Sequence, residues 1–107
     1  MVKTVSVRRA EKLTRLRDAV QHLCRDLSQY AESESGAFYI FGSFVRGDFS
    51  DDSDVDILVK FPEADRAEAM DFAESACLGY DLKPDIRPAQ WVSCRFADRV
   101  RREGQKL

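Results

Sequence analysis

The sequence predicts an α/β fold in which a small mixed sheet carries flanking helices. Three observations lead there. Leucines recur at helical spacing near the N-terminus, at Leu13, Leu16, Leu23 and Leu27. Two short apolar runs, Ala37–Phe41 and Val55–Phe61, have the length and composition of strands. Helical patterns then alternate with a third, shorter extended segment, the arrangement that builds layered α/β domains.

Taken in order, residues 7–31 read as a helix, with Leu13, Leu16, Val20, Leu23 and Leu27 on one stripe and charged residues between them. The stripe is short for a coiled coil and suits a helix facing a core. Ser33–Gly36 is a loop. Ala37–Phe41 is apolar on both alternating faces, as in a strand covered on both sides. Gly42 breaks it, Ser43–Gly47 reads as a short helical turn, and Asp48–Ser53 as a polar loop. Val55–Phe61 is the second strand, with Val55, Ile57, Val59 and Phe61 on one face and Pro62 as its end. Glu63–Leu78 reads as a helix with acids in its first turn and Gly79 as its stop. Leu82–Arg87 is a third strand containing Pro84 and closed by Pro88. Gln90–Arg102 reads as one last helix, with Val92, Phe96 and Val100 in register.

At 107 residues the chain is expected to form one domain, residues 1–107, large enough to bury a core. Charged residues make up 34%, yet the formal net charge is only -2. That balance argues against a protein that coats DNA and makes nucleic acid an unfavoured partner. The three cysteines, Cys24, Cys77 and Cys94, form no close pair, and His22 is the one histidine. The short-spaced ligands of a zinc site are missing, so the expectation is part-buried, reduced thiols in the cytoplasm. No apolar run approaches the roughly 20 residues of a membrane span, and the first residues lack the apolar stretch of a signal peptide.

The chemistry concentrates between Gly42 and Asp56. A buried strand delivers the chain to Gly42, where the missing side chain lets a ligand approach the backbone. Ser43 follows at the head of a turn, where free amides and a hydroxyl favour phosphate oxygens. Asp54 and Asp56 stand two apart at the head of a strand, so both carboxylates project from one face. Two carboxylates so placed repel unless a cation lies between them. Magnesium is the usual occupant near phosphates, since it takes one or two carboxylates and completes its shell with phosphate oxygens. A calcium loop is a poorer reading, because Val55, Ile57 and Leu58 stand where oxygen ligands would fall.

Gly42-Ser43, Arg46-Gly47 and Ser53-Asp54-Val55-Asp56 together resemble the G-S, R-G and D-x-D signature of the DNA polymerase beta-like nucleotidyltransferase superfamily, and the small size resembles its minimal nucleotidyltransferase branch. The likeness runs from Gly36 onward and includes Phe96–Val100 and the basic residues after it. The resemblance implies a polymerase beta-type palm core, a nucleoside triphosphate substrate (ATP by default) and Mg2+. It also implies roles. Asp54 and Asp56 would hold the metal, Gly42 and Ser43 would grip the outer phosphates, and Arg46 would neutralise phosphate charge. Asp85 matches the family's third carboxylate, holding a second metal or acting as general base, with Asp81 in reserve. Pro84, where the family has an aliphatic residue, is a departure that removes a strand N–H. Minimal domains of this branch resemble antitoxins paired with a helical HEPN-type toxin, to which they transfer AMP.

Blander readings stand beside these. Arg46 can equally pair with Asp48, and Asp51 and Asp52 can be a polar loop that positions Asp54. Phe38, Tyr39, Phe41, Phe61 and Phe72 are expected in the core, and Trp91 is expected to pack there more readily than to stack on a base. Arg95, Arg99, Arg101 and Arg102 read as a solvated helix face, with partner docking as the second reading. Two other functions compete with protein modification: a silent module that neutralises a partner by docking, and transfer to a small molecule or an RNA end. A chain of this length leaves little room for a separate acceptor domain, which favours a companion protein as acceptor. The leucines of the first helix would also serve a homo-oligomer.

Overall fold

The computed structural model describes residues 5–107. Part of the N-terminal stretch read above for a leader therefore lies outside the described residues. The first helix, α1, spans Val5–Ser33. Val20, Leu23, Leu27 and Ala31, at steps of three and four, form its buried row. That row packs against Phe38, Ile40, Ile57 and Phe61, so α1 is the core-facing helix the leucine spacing predicts.

Strand β1 (Ala37–Phe41) pairs antiparallel with β2 (Val55–Lys60), with Ile40 opposite Ile57. Between them the chain makes one helical turn, α2 (Ser43–Arg46). Helix α3 (Glu63–Gly79) carries it to β3 (Pro84–Pro88), which runs parallel to β2. Helix α4 (Cys94–Glu103) leads to a short β4 (Gln105–Lys106), antiparallel to β1. The sheet order is β3-β2-β1-β4, a mixed sheet as expected.

The period of two divides the sheet into two faces. Phe38, Ile40, Val55, Ile57 and Val59 meet α1 and α3, while Ala37, Tyr39 and Leu58 meet Val100 of α4. β1 and β2 are thus covered on both sides, which is why their sequences are apolar almost throughout. Among the described residues no helix is long and apolar enough to cross a membrane.

Several boundaries depart from expectation for identifiable reasons. The stop of α3 is not Gly79, which remains helical. The chain turns at Asp81, the one described non-glycine residue with positive φ, at 59°. Asp tolerates that left-handed conformation, so no glycine is required. The third strand begins at Pro84 instead of Leu82. The last helical pattern is two elements: a 3-10 turn at Ala89–Trp91, then an extended Val92 and Ser93. The Ser93 hydroxyl accepts the Phe96 N–H at 3.1 Å, so this residue caps α4 rather than continuing a helix through it. Strand β4 went unanticipated because two polar residues carry no periodicity. Trp91 does not pack in the core but is 77% exposed. Phe41 and Phe72 are half-buried, and Cys94 is exposed beside a half-buried Cys24 and a buried Cys77.

Candidate active site

The site forms where β1, α2, β2 and β3 meet at one end of the sheet, on the face that α4 covers. Gly42 leaves β1 with φ 82° and ψ −151°, a conformation open essentially to glycine alone. A Cβ placed there would overlap the Asp56 carboxylate. The bare backbone of Gly42 and the head of β2 therefore occupy adjoining space. The Gly42 carbonyl accepts from the Val45 and Arg46 N–H groups, both at 3.1 Å, and Gly47, at φ 87°, closes the turn onto the Ser43 carbonyl. The Ser43 hydroxyl makes no hydrogen bond among the described residues.

The polar loop before β2 is tied down at both ends. The Ser50 N–H donates to the Ser53 hydroxyl at 2.8 Å. Asp51 pairs with Lys12 of α1 at 3.6 Å, and Asp52 with Lys83 at 3.7 Å. These pairs match the positioning role expected of the loop and deliver Asp54, exposed, one residue ahead of β2.

Strand register then does what spacing alone could not. The parallel ladder sets Asp56 directly beside Asp85, close enough for the two carboxyl groups to interact. Pro84 does not disturb this. β3 is an edge strand, and the Val55 N–H bonds to the Lys83 carbonyl at 2.8 Å. Residues 83 and 85 thus turn their polar groups to β2, and the Pro84 nitrogen faces the open edge, where no N–H is needed. Asp81 stands in the turn after α3, so Asp85 is the residue brought to Asp56.

The pair is electrostatically strained. Burial, the hydrogen bond with Asp85 and the negative charges of Asp85 and Asp54 push the Asp56 carboxyl up to about 6, against a smaller opposing pull from Arg87. Arg87 donates to both oxygens of Asp85, from Nη2 at 3.2 Å and from Nε at 3.4 Å. Among the described residues no three metal-capable side chains are gathered as a ready-made cage. Magnesium does not need one, since phosphates and waters supply most of its shell. Two carboxylates placed side by side are the donor set that such a cation fits.

An open cleft of about 410 Å³ runs past these groups. Gly42, Ser43, Arg46, Asp54 and Asp56 all line it. Asp85 touches Asp56 from beyond the cleft wall and borders a second depression with Met70, Asp71 and Glu74. Arg46 makes the structural pair foreseen for it, with Asp48 at 3.3 Å, and both remain exposed. The far wall comes from α4, through Phe96, Arg99, Val100 and Glu103, with Arg87 beside them. Of these, Arg87 was read only as the end of a strand and not as a site residue, although its place two residues after Asp85 puts it on the same strand face. Arg99 is more than the solvated residue expected: it reaches the cleft while pairing with Glu103 at 3.1 Å.

Comparisons with known proteins agree with this geometry. Residues 16–105 match the nucleotidyltransferase domain family. No curated protein matches the chain. Among solved structures, one described as a candidate minimal nucleotidyltransferase is 31% identical, with a TM-score of 0.53, over 91% of this chain and 94% of that one. A second, a toxin–antitoxin crystal structure with AMP-PNP, is 23% identical with a TM-score of 0.51, over 84% of this chain and 70% of that one, and shows a shared fold. With the strand register, the glycine turn and the family match in agreement, the chain belongs to the nucleotidyltransferase domain family.

Proposed function

We propose that the chain is a magnesium-dependent nucleotidyltransferase that moves a nucleoside monophosphate, AMP from ATP, onto a hydroxyl of a partner protein. The observation that carries this reading is the close approach of the Asp56 carboxyl to the backbone of Gly42, in one cleft with Ser43 and Asp54, with Asp85 beside Asp56 in the strand ladder.

The residues divide the work as follows. Gly42, lacking a side chain, lets the outer phosphates approach, and the Ser43 hydroxyl donates to them. Asp54 and Asp56 would hold magnesium, and Asp85 would hold a second ion or take the acceptor proton. Magnesium bound there offsets the charge on the attacking and leaving oxygens. The acceptor oxygen bonds to the α-phosphorus as its proton passes to Asp85. The bond from the α-phosphorus to the bridging oxygen breaks, and pyrophosphate departs. Arg46 and Arg99, on opposite walls, neutralise phosphate charge.

The acceptor is read as a helical HEPN-type toxin with the chain as its antitoxin. The toxin–antitoxin neighbour with AMP-PNP supports that reading at the level of fold. Trp91, 77% exposed, favours a second reading in which the chain neutralises its partner by docking alone, because exposed tryptophan is a common anchor of interfaces. Co-expression with a candidate partner separates the two. Mass analysis of the partner is expected to show one nucleotidyl group on a hydroxyl, lost with Asp54→Asn/Asp56→Asn. Neutralisation that survives the double substitution, with no modified partner, would favour docking.

A further inference from the structure

Arg87 has no part in the division of labour above, yet it has two partners. Its guanidinium donates to both oxygens of Asp85, at 3.2 and 3.4 Å. The same guanidinium lies over the Phe96 ring of α4, 5.5 Å from its centroid. Phe96 in turn stands edge-on to Phe41, the residue before Gly42, with ring centroids 5.6 Å apart. Arg87 thus lies between the third carboxylate and the cleft wall that faces the phosphate turn, and it lines the cleft.

The consequence follows from counting donors and acceptors. A carboxylate has two oxygens. Both oxygens of Asp85 are engaged by Arg87, and Asp56 stands beside it in the ladder. An incoming cation must compete with a guanidinium already in place. The Arg87 side chain is 47% exposed and that of Asp85 33% exposed, so the pair is weakly held and exchangeable. A triphosphate entering the cleft offers Arg87 a more strongly charged partner whose oxygens can accept two hydrogen bonds from the planar guanidinium.

We infer that Arg87 is a positioning residue that withholds Asp85 from metal until nucleotide phosphates draw its guanidinium away. Metal and nucleotide binding are then coupled through one side chain, and the reciprocity of coupling makes each ligand strengthen the other. The inference rests on the metal role proposed for Asp56 and Asp85.

The test measures Mn2+ binding to the full chain by electron paramagnetic resonance, with and without a non-hydrolysable nucleoside triphosphate. Wild type, Arg87→Gln, Arg87→Lys and Asp56→Asn are compared. Without nucleotide, Arg87→Gln is expected to bind Mn2+ more tightly than wild type, by up to about fivefold, the upper range for an exposed ion pair. Nucleotide is expected to improve Mn2+ affinity more in wild type than in Arg87→Gln, with Arg87→Lys between them, because its point charge lacks the two-pronged grip. A nucleotide effect equal in wild type and Arg87→Gln, on a site that Asp56→Asn abolishes, would overturn the role of Arg87 and leave the metal site standing. Binding of Mn2+ that Asp56→Asn does not weaken would overturn both.

Discussion

Gly42→Ala is the most informative single perturbation, because the position binds two halves of the site into one geometric constraint. Two costs arise. The backbone at φ 82° and ψ −151° belongs to a region that disfavours any side chain, at about 1–3 kcal/mol. The new Cβ also overlaps the Asp56 carboxylate. That side chain must rotate away from its place beside Asp85, leaving a preferred rotamer at about 0.5–1.5 kcal/mol. The sum is about 1.5–4.5 kcal/mol, a large part of a small domain's stability, and should appear in urea unfolding as a lower midpoint with unchanged slope. Asp56→Ala in the same background removes the obstacle but not the backbone strain. The double variant should therefore recover about 1 kcal/mol relative to the sum of the single effects. An alanine variant as stable as wild type, or strictly additive effects, would refute the claim that the glycine turn and the carboxylate share this space.

Other outcomes follow from the same structure. The Asp56 carboxyl, raised to about 6, binds its proton more tightly in the folded than in the unfolded chain. Its contribution to stability is thus present below the unfolded value and lost as pH rises through about 6. Magnesium should oppose this, so thermal stabilisation by Mg2+ should be larger at pH 7 than at pH 5 and absent in Asp56→Asn. Leu27→Ala empties a fully buried position under the sheet and should cost about 2–5 kcal/mol in chemical denaturation. Ser93→Ala removes the α4 cap at about 1 kcal/mol, and transfer activity should fall with it, since α4 carries one wall of the cleft.

The elements were legible where burial leaves a period. β1 and β2 lie under helices on both faces, so their apolar runs gave nearly correct limits, and the leucine row of α1 reported its buried side. Signal was lost where local geometry decides. Asp81, in a left-handed conformation, makes the turn where Gly79 was expected to stop the helix, and Ser93 interrupts the Val92–Phe96–Val100 row that read as one helix. β4 is held by pairing with β1 and by the Leu107 N–H bonded to the Phe38 carbonyl at 2.9 Å, long-range contacts that two polar residues do not announce.

Within the site, Gly42, Ser43, Asp54 and Asp56 were legible because they lie close in sequence around one strand–turn–strand unit. Asp85 depended on family resemblance, and only the parallel register places it beside Asp56. Arg87 was readable in principle from its place two residues beyond Asp85, but nothing in a single arginine marks it without the carboxylate it faces. The far wall formed by Phe96 and Arg99 needed the fold, since α4 lies about forty residues beyond Asp56 and reaches the cleft only across the sheet.

The central claim is that the carboxylates at the head of β2 direct attack to the α-phosphorus. Parallel incubations with α-labelled and γ-labelled nucleoside triphosphate, magnesium and host lysate test it most directly, beside Asp54→Asn/Asp56→Asn. The acceptor is expected to gain the α-label and not the γ-label, with labelled pyrophosphate released only from the γ-labelled substrate and neither product formed by the double variant. Transfer of the γ-label, or α-label transfer undiminished in the double variant, would contradict it.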